Sequence, residues 1–292
     1  MKKKVKYFCF GFGQVAKYFV KNLIQSKKKF DLVITSKSSS KKKFFYKKKY
    51  LSLKFKDSYY DKSIPNHIEN SDFILVSIPP IKGQDLVIKY FSKYLRNSKF
   101  KNLIYLSSTS VYGDHKGSWV TEMSKTKPTS AFGKNRLYAE NSWRKFQKKY
   151  SKPINIFRLS GIYSKESNIV KRIKFGSRLV IRKKNHFFSR VRVEDIASTI
   201  RKLFYIGNIQ GETFNISDNL PASSEKVYKY AANILKIKNF KIISTKKIKG
   251  KMLKSFYKDS KKVSNKNMKN QLHIKLKFPS YKEGLRNIFN NS

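Results

Sequence analysis

The sequence predicts an α/β protein: a doubly wound parallel sheet followed by a smaller C-terminal substrate lobe. Three observations predict it. Short apolar runs alternate with segments of helical periodicity through the first half of the 292 residues, as strands joined by right-handed crossovers do. The first run, Val5–Phe10, leads into Gly11-Phe12-Gly13 and then directly into a helical pattern. Beyond about residue 160 the periodicity breaks into short segments punctuated by Gly161, Gly176, Gly207 and Gly211. The expected boundaries are 1–160 for the sheet domain and 161–292 for the lobe, with 186–216 returning to the main sheet.

The elements follow in order. Val5–Phe10 reads as a buried strand, Val15–Ile24 as a helix and Leu32–Thr35 as the second strand. Lys37–Lys49, built of Ser, Lys, Phe and Tyr, reads as an exposed loop with a weak strand or turn. Phe73–Ile78 is a strand closed by Pro79-Pro80, Asp85–Leu95 a helix and Asn102–Leu106 a strand. Arg136–Tyr150 is a long helix and Ile154–Leu159 the strand after it. Residues 223–236 carry Ser223 as N-cap and then Val227, Tyr230, Ala231 and Leu235 on one face, which predicts an amphipathic helix.

Composition sets the bounds. The chain is 39% hydrophobic with 23 Phe and 18 Tyr, enough to fold around a core. Its formal charge of +50 raises the question of a polyanion partner. The lysines run from Lys2 to Lys282 without gathering in one arm, and the accompanying excess of Asn, Ile, Phe and Tyr matches an AT-rich coding bias. A nucleic-acid partner is therefore not expected. Cys9 is the one cysteine, and His67, His115, His186 and His273 lack ligand spacing, so neither a disulfide framework nor a metal is expected. The basic start and Val5–Phe10 mimic a signal peptide, but the run is short and ends in a Gly-rich turn. No stretch approaches the ~20 apolar residues of a membrane helix. The expectation is a cytoplasmic protein.

Gly11-x-Gly13-x-x-Ala16, between a strand and a helix, is the pattern that holds a dinucleotide pyrophosphate. The first glycine makes the turn, the second lets backbone N–H groups approach the anion, and the alanine permits close helix–strand packing. Gly11, Phe12, Gly13, Gln14, Val15 and Ala16 are thus the expected phosphate cradle. An NAD-selecting acid belongs at the end of the second strand, on the ribose 2′-OH. Asp31 lies at the wrong end; Ser36-Lys37-Ser38 follow the strand and suit a 2′-phosphate, so NADP(H) is favoured over NAD(H). Ser77, Ile78, Pro79 and Ser107 stand at the carboxyl ends of later strands, where such ligands bind.

Tyr105-Leu-Ser107-Ser108-Thr109-Ser110-Val111-Tyr112-Gly113-Asp114 ends a strand in a hydroxyl cluster. This segment resembles the extended short-chain dehydrogenase/reductases, the NAD-dependent epimerase/dehydratase group. Arg158-Leu-Ser-Gly161-Ile-Tyr163, Phe188-Ser-Arg190-Val-Arg192-Val193-Glu-Asp195-Ile-Ala and Gly211-Glu-Thr-Phe-Asn215-Ile continue the resemblance in the same order. It implies a Rossmann-like fold and a catalytic Ser/Thr, Tyr and Lys. The hydroxyl position falls on Ser108. Where the Tyr-x-x-x-Lys is due stands Phe132-Gly133-Lys134-Asn135-Arg136. Phenylalanine has no titratable proton, and an arginine can bind ribose hydroxyls but is a poor proton shuttle.

The resemblance thus implies an atypical branch with Ser108 and Arg136 as the catalytic candidates, Tyr112 and His115 as alternative proton donors, and Arg136 also on the cofactor. Thr109, Trp119, Glu122, Ile162 and Arg190 are the expected substrate-pocket residues. The function expected is an NAD(P)-dependent oxidoreductase or epimerase acting on a nucleotide sugar or related carbonyl or alcohol. A catalytically silent NAD(P)(H)-binding regulator or scaffold, and a polyanion binder, are the alternatives. The partners expected are an unidentified small-molecule substrate and a second copy of the chain, packed through the helices after Asp85 and Arg136.

Overall fold

The computed structural model describes residues 4–38, 40–248, 250, 254 and 256–291. In chain order its first elements are β1 (Val5–Phe10), α1 (Gln14–Gln25), β2 (Phe30–Ser36), β3 (Lys41–Phe45), β4 (Lys48–Lys56), β5 (Tyr59–Tyr60) and α2 (Ile64–Glu69). β6 (Phe73–Val76), α3 (Leu86–Asn97), β7 (Asn102–Ser108), β8 (Trp119–Val120), α4 (Ala131–Tyr150) and β9 (Ile154–Leu159) follow. Then come β10 (Gly161–Tyr163), α5 (Ile169–Lys174), β11 (Leu179–Arg182), β12 (Arg190–Arg192), α6 (Val193–Ile206), β13 (Thr213–Ile216), α7 (Ser224–Ile234) and β14 (Lys241–Ser244). The chain ends with β15 (Lys262–Val263) and the helices α8 (Lys266–Leu272) and α9 (Tyr281–Asn290).

The main sheet has the order β13-β9-β7-β6-β1-β2-β4-β3. β1 pairs in parallel with β2 and β6, β6 with β7, and β2 with β4, so the fold is the mixed α/β, mostly parallel architecture the sequence predicts. Central parallel strands are covered on both faces and read as continuous apolar runs; Phe73–Val76 is buried throughout. Alternation along β1 sends Phe8 and Phe10 to one face, where they join Phe91 and Leu95 of α3 and Trp143 of α4. Tyr7 goes to the other face, against Phe19 of α1, Phe73 and Phe204 of α6.

Two expectations change. Within Lys37–Lys49 the weak strand or turn is a full hairpin: β3 pairs antiparallel with β4 through a two-residue turn, Phe45 opposite Lys48, and forms the sheet edge. The long helix begins at Ala131, five residues before Arg136.

The chain divides into two compact units. The first comprises residues 1–107, 135–158 and 196–214, and the second 108–134, 159–195 and 215–292. The second unit has its own apolar cluster, in which Val170 and Ile173 of α5, Val227 and Ala231 of α7, and Leu285 and Ile288 of α9 are buried together with Tyr163 and Val180. No helix among the described residues is long and apolar enough to cross a membrane.

Candidate functional site

In the first unit, β1 delivers the chain to Gly11 at φ +90°. A Cβ there would stand 2.7 Å from Ile78 Cγ2 and 2.9 Å from Ser77 Oγ. The turn therefore lies flush against the carboxyl end of β6. Gly11 N–H donates to Thr35 Oγ1 (2.9 Å), and both the backbone N–H and Oγ of Ser77 donate to Phe10 O (2.9 Å each). Gly13 is the opposite case. It is the N-cap of α1, and a Cβ on it would meet nothing within 4 Å. No side chain caps α1 and no acid stands in its first turn, while Ala16 is fully buried against the sheet. An uncapped helix N-terminus facing open space presents backbone N–H groups and a positive dipole end to an anion. The turn thus fits a dinucleotide pyrophosphate.

At the end of β2, Ser36 Oγ lies 2.9 Å from Ser38 Oγ and 3.0 Å from Ser52 Oγ. Lys37 and Ser38 are exposed, and Asp31 sits at the start of the strand, opposite Lys6. Pro79 is exposed just beyond the Ser77–Ile78 step. Ser107 is buried and donates to Glu140 Oε1 at 2.6 Å. Glu140, itself fully buried, is gripped by Arg158 at 2.7 Å. Arg136 donates through Nη1 to Leu106 O (2.6 Å) and to Tyr105 Oη (3.4 Å), which fixes the guanidinium on the end of β7. Burial holds the Tyr105 hydroxyl well above the ordinary tyrosine range.

In the second unit, Ser108 Oγ accepts the Ser110 N–H at 3.2 Å and so caps the short turn 109–112. Thr109 is buried, with Oγ1 bonded to Leu159 O. Tyr112 is fully buried and donates to Asn215 Oδ1 at 2.7 Å. Glu122 Oε1 accepts the Asn215 backbone N–H at 2.8 Å. His115 Nε2 lies 3.1 Å from Lys125 O. Asp114 is turned away, accepting the N–H groups of Ser260 and Lys116; against the pull of burial, these bonds hold its carboxyl below the usual range. Phe132 and Trp119 are 54% and 55% exposed, so neither serves as core packing. Phe132 and Arg136, four residues apart on α4, share one face of that helix.

A cavity of about 300 Å³ opens within this second unit. Ile162 and Arg190 line it, joined by residues that sequence reasoning missed: Arg172, Tyr228, Tyr257 and Tyr281. Arg190 is anchored through Nη1 to Phe188 O (3.0 Å) and Ala222 O (2.9 Å). Burial lifts the Asp218 carboxyl to about 7, despite the Leu220 N–H and the Arg190 charge. Three further residues of the first unit also lacked a sequence signal: Thr35, Glu140 and Lys43, whose Nζ donates to Ser38 Oγ at 3.3 Å. Among the described residues no group of three or more His, Cys, Asp or Glu is placed to hold a metal ion.

Residues 82–204 match the sequence model of the NAD dependent epimerase/dehydratase family. No curated protein matches the chain. Among solved structures, a functionally unknown conserved protein from Silicibacter pomeroyi DSS superposes with a TM-score of 0.86 at 26% identity, covering 99% of both chains. dTDP-glucose 4,6-dehydratase from Bacillus anthracis, in complex with NAD, gives 0.77 at 16% identity over 98% of this chain and 96% of that one. UDP-glucuronic acid 4-epimerase from Bacillus cereus, also with NAD, gives 0.77 at 14% identity with the same coverage.

Proposed function

We propose, for a chain whose residues 82–204 match the model of the NAD dependent epimerase/dehydratase family, a nicotinamide-dinucleotide-dependent role on a nucleotide sugar or related carbonyl or alcohol, with NADP(H) preferred to NAD(H). The observation that carries it is the uncapped, acid-free N-terminus of α1 behind the open face at Gly13. Backbone N–H groups of the Gly13–Ala16 turn would hold the pyrophosphate, Ser36, Lys37 and Ser38 the adenosine ribose end, and Arg136 the nicotinamide ribose. When bound, the nicotinamide accepts or returns a hydride. NAD in the two solved enzymes of this fold supports the cofactor class, and their sugar-nucleotide names support the substrate class. Taken by itself, the cavity of the second unit offers Arg172 and Arg190 as charge to an anion, and Tyr228, Tyr257 and Tyr281 as ring surface.

The proton chemistry departs from the family pattern. Phe132 stands where the resemblance puts the tyrosine and exchanges no proton, so Ser108 and His115 are the hydroxyl and imidazole left to serve a reacting oxygen. Tyr112, buried and bonded to Asn215, is better suited to holding the turn. Phe132 equally favours a second reading, a silent dinucleotide sensor or scaffold. Calorimetric titration with NADPH and NADH, beside turnover assays on a nucleotide-sugar panel, separates the two. Binding with turnover supports the enzyme, and binding without turnover across the panel supports the sensor. Failure to bind either dinucleotide defeats both. A homodimer through α3 and α4, checked by sedimentation, and a reducing cytoplasm, in which buried Cys9 stays a thiol, complete the reading.

A further inference from the structure

The β3–β4 hairpin stands where the sequence suggested an exposed loop with a weak strand or turn, and its inner face carries a cation. Side chains alternate along a strand, so Lys41, Lys43 and Phe45 share one face of β3, and Lys42 and Phe44 the other. Phe45 settles which way that face looks. Its ring lies 5.3 Å from Phe12, the middle residue of the Gly11-Phe12-Gly13 turn. Tyr50, directly opposite Lys43 in the antiparallel register, lies 5.2 Å from the same ring. Lys43 accordingly faces the glycine turn. It is half-buried, unlike its neighbours Lys41 and Lys42, which are exposed. Its ammonium reaches Ser38 Oγ at 3.3 Å, and Ser38 continues through Ser36 to Ser52 as a chain of hydroxyls. The stretch 36–56 contains neither Asp nor Glu. The nearby carboxylate of Asp61 is occupied by the hydroxyls of Ser40 and Ser63.

We infer that this hairpin is a clamp for the adenosine 2′-phosphate, with Lys43 as its cation. The inference rests on the NADP(H) reading and extends it. A ribose 2′-OH calls for a free acceptor carboxylate, and the one close by, Asp61, already accepts from Ser40 and Ser63. A 2′-phosphate calls for a positive charge and hydroxyl donors, which this corner supplies. Lys37 brings charge from the end of β2 and Lys43 from the facing hairpin, so the phosphate is approached from two sides. Lys41 and Lys42 have the commoner task of edge lysines, blocking strand addition by another chain.

The test is calorimetric titration of the full chain with NADPH, NADH, 2′,5′-ADP and 5′-AMP, in the wild type and in Lys43→Ala, Lys43→Arg and Lys42→Ala. Lys43→Ala is expected to weaken NADPH and 2′,5′-ADP by about 10-fold or more, the usual size of a lost charge-assisted contact, and to leave NADH and 5′-AMP within about 2-fold. Lys43→Arg retains the preference, and Lys42→Ala on the other face changes nothing. Equal loss of all four ligands, or loss of none, overturns the clamp. A wild type that prefers NADPH while Lys43→Ala keeps that preference overturns the clamp alone. A wild type with no such preference overturns the NADP(H) reading together with it. Thermal melts matching the wild type show that each variant is folded, and a Lys43→Gln variant replaces any that is not.

Discussion

The two glycines of the β1–α1 turn lie two residues apart and make opposite demands, which separates folding from binding. Gly11→Ala would place a methyl 2.7 Å from Ile78 Cγ2 and 2.9 Å from Ser77 Oγ, on a backbone at φ +90°. The left-handed conformation costs an alanine about 1 kcal/mol, and overpacking against two fixed neighbours adds about 1–3 kcal/mol. The sum, roughly 2–4 kcal/mol, lowers Tm by about 4–16 °C at about 2–4 °C per kcal/mol. Gly13→Ala meets neither obstacle: its φ is −77° and nothing lies within 4 Å of the added methyl. Alanine is a poorer N-cap than glycine by roughly 0.5–1 kcal/mol, while the stiffer unfolded chain returns about 0.4–1 kcal/mol, so Tm stays within about 2 °C. The methyl does occupy the space through which an anion would approach the N-terminus of α1. NADPH affinity should therefore fall about 10-fold or more, the equivalent of one lost close contact of ~1.4 kcal/mol. Differential scanning calorimetry and titration on the same samples read both quantities. A Gly13→Ala protein that melts like the wild type and binds NADPH equally well refutes the pyrophosphate cradle.

Three further outcomes follow from buried charge and turn geometry. Glu140→Gln takes the carboxylate out of its ion pair with Arg158, a pair almost wholly inside the first unit; breaking a buried pair by removing one charge costs about 3–5 kcal/mol, read as a lower urea midpoint, and an unchanged midpoint would show the pair to be dispensable. Burial raises the Asp218 carboxyl to about 7, so the folded chain keeps a proton that the unfolded chain releases near pH 4, and stability falls by up to about 1.4 kcal/mol per unit as pH rises between those values. Asp218→Asn removes that slope. His186, which burial and then the Lys183 charge pull down to about 4, acts with the opposite sign below about pH 6.5, so the comparison is the wild-type-minus-variant difference across pH 4–8, and parallel curves would rule out the shift. Tyr46 and Lys47 both occupy the left-handed region in the hairpin turn, at φ 46° and 60°; replacing them with Asn-Gly suits that turn and should raise Tm by about 2 °C, whereas a fall would mean the Tyr46 ring contributes more than its backbone costs.

Those two residues also explain why the sequence showed the hairpin only as a weak strand or turn. A two-residue turn of this kind is ordinarily announced by Asn-Gly or Asp-Gly, and here a tyrosine and a lysine adopt it. The start of α4 was hidden in a similar way. Gly133 weakens the helical pattern, yet it is required where a Cβ would stand 2.7 Å from Ser110 O and 2.9 Å from Pro128 Cβ. By contrast, β1, its turn and α1 were readable because continuous burial, two glycines and an amphipathic run all point the same way. The cavity tyrosines could not be read: Tyr228, Tyr257 and Tyr281 come from separate segments, and no local pattern brings them together.

Lysine presents the harder case, because abundance hides function. In a chain with 67 Lys and Arg, one more lysine in Lys41-Lys42-Lys43 carries almost no information as a residue type. What distinguishes Lys43 is direction, and direction depends on knowing that the segment is a strand. Once alternation applies, Phe45 and Lys43 must share a face, and the contact of Phe45 with Phe12 fixes that face on the glycine turn. A uniform lysine bias places cations on both faces of the hairpin alike. It does not account for an inward lysine bonded to a serine beside a stretch without acids. Comparing Lys43→Ala with Lys42→Ala is therefore a comparison between two neighbouring residues of identical type that differ only in the face they occupy.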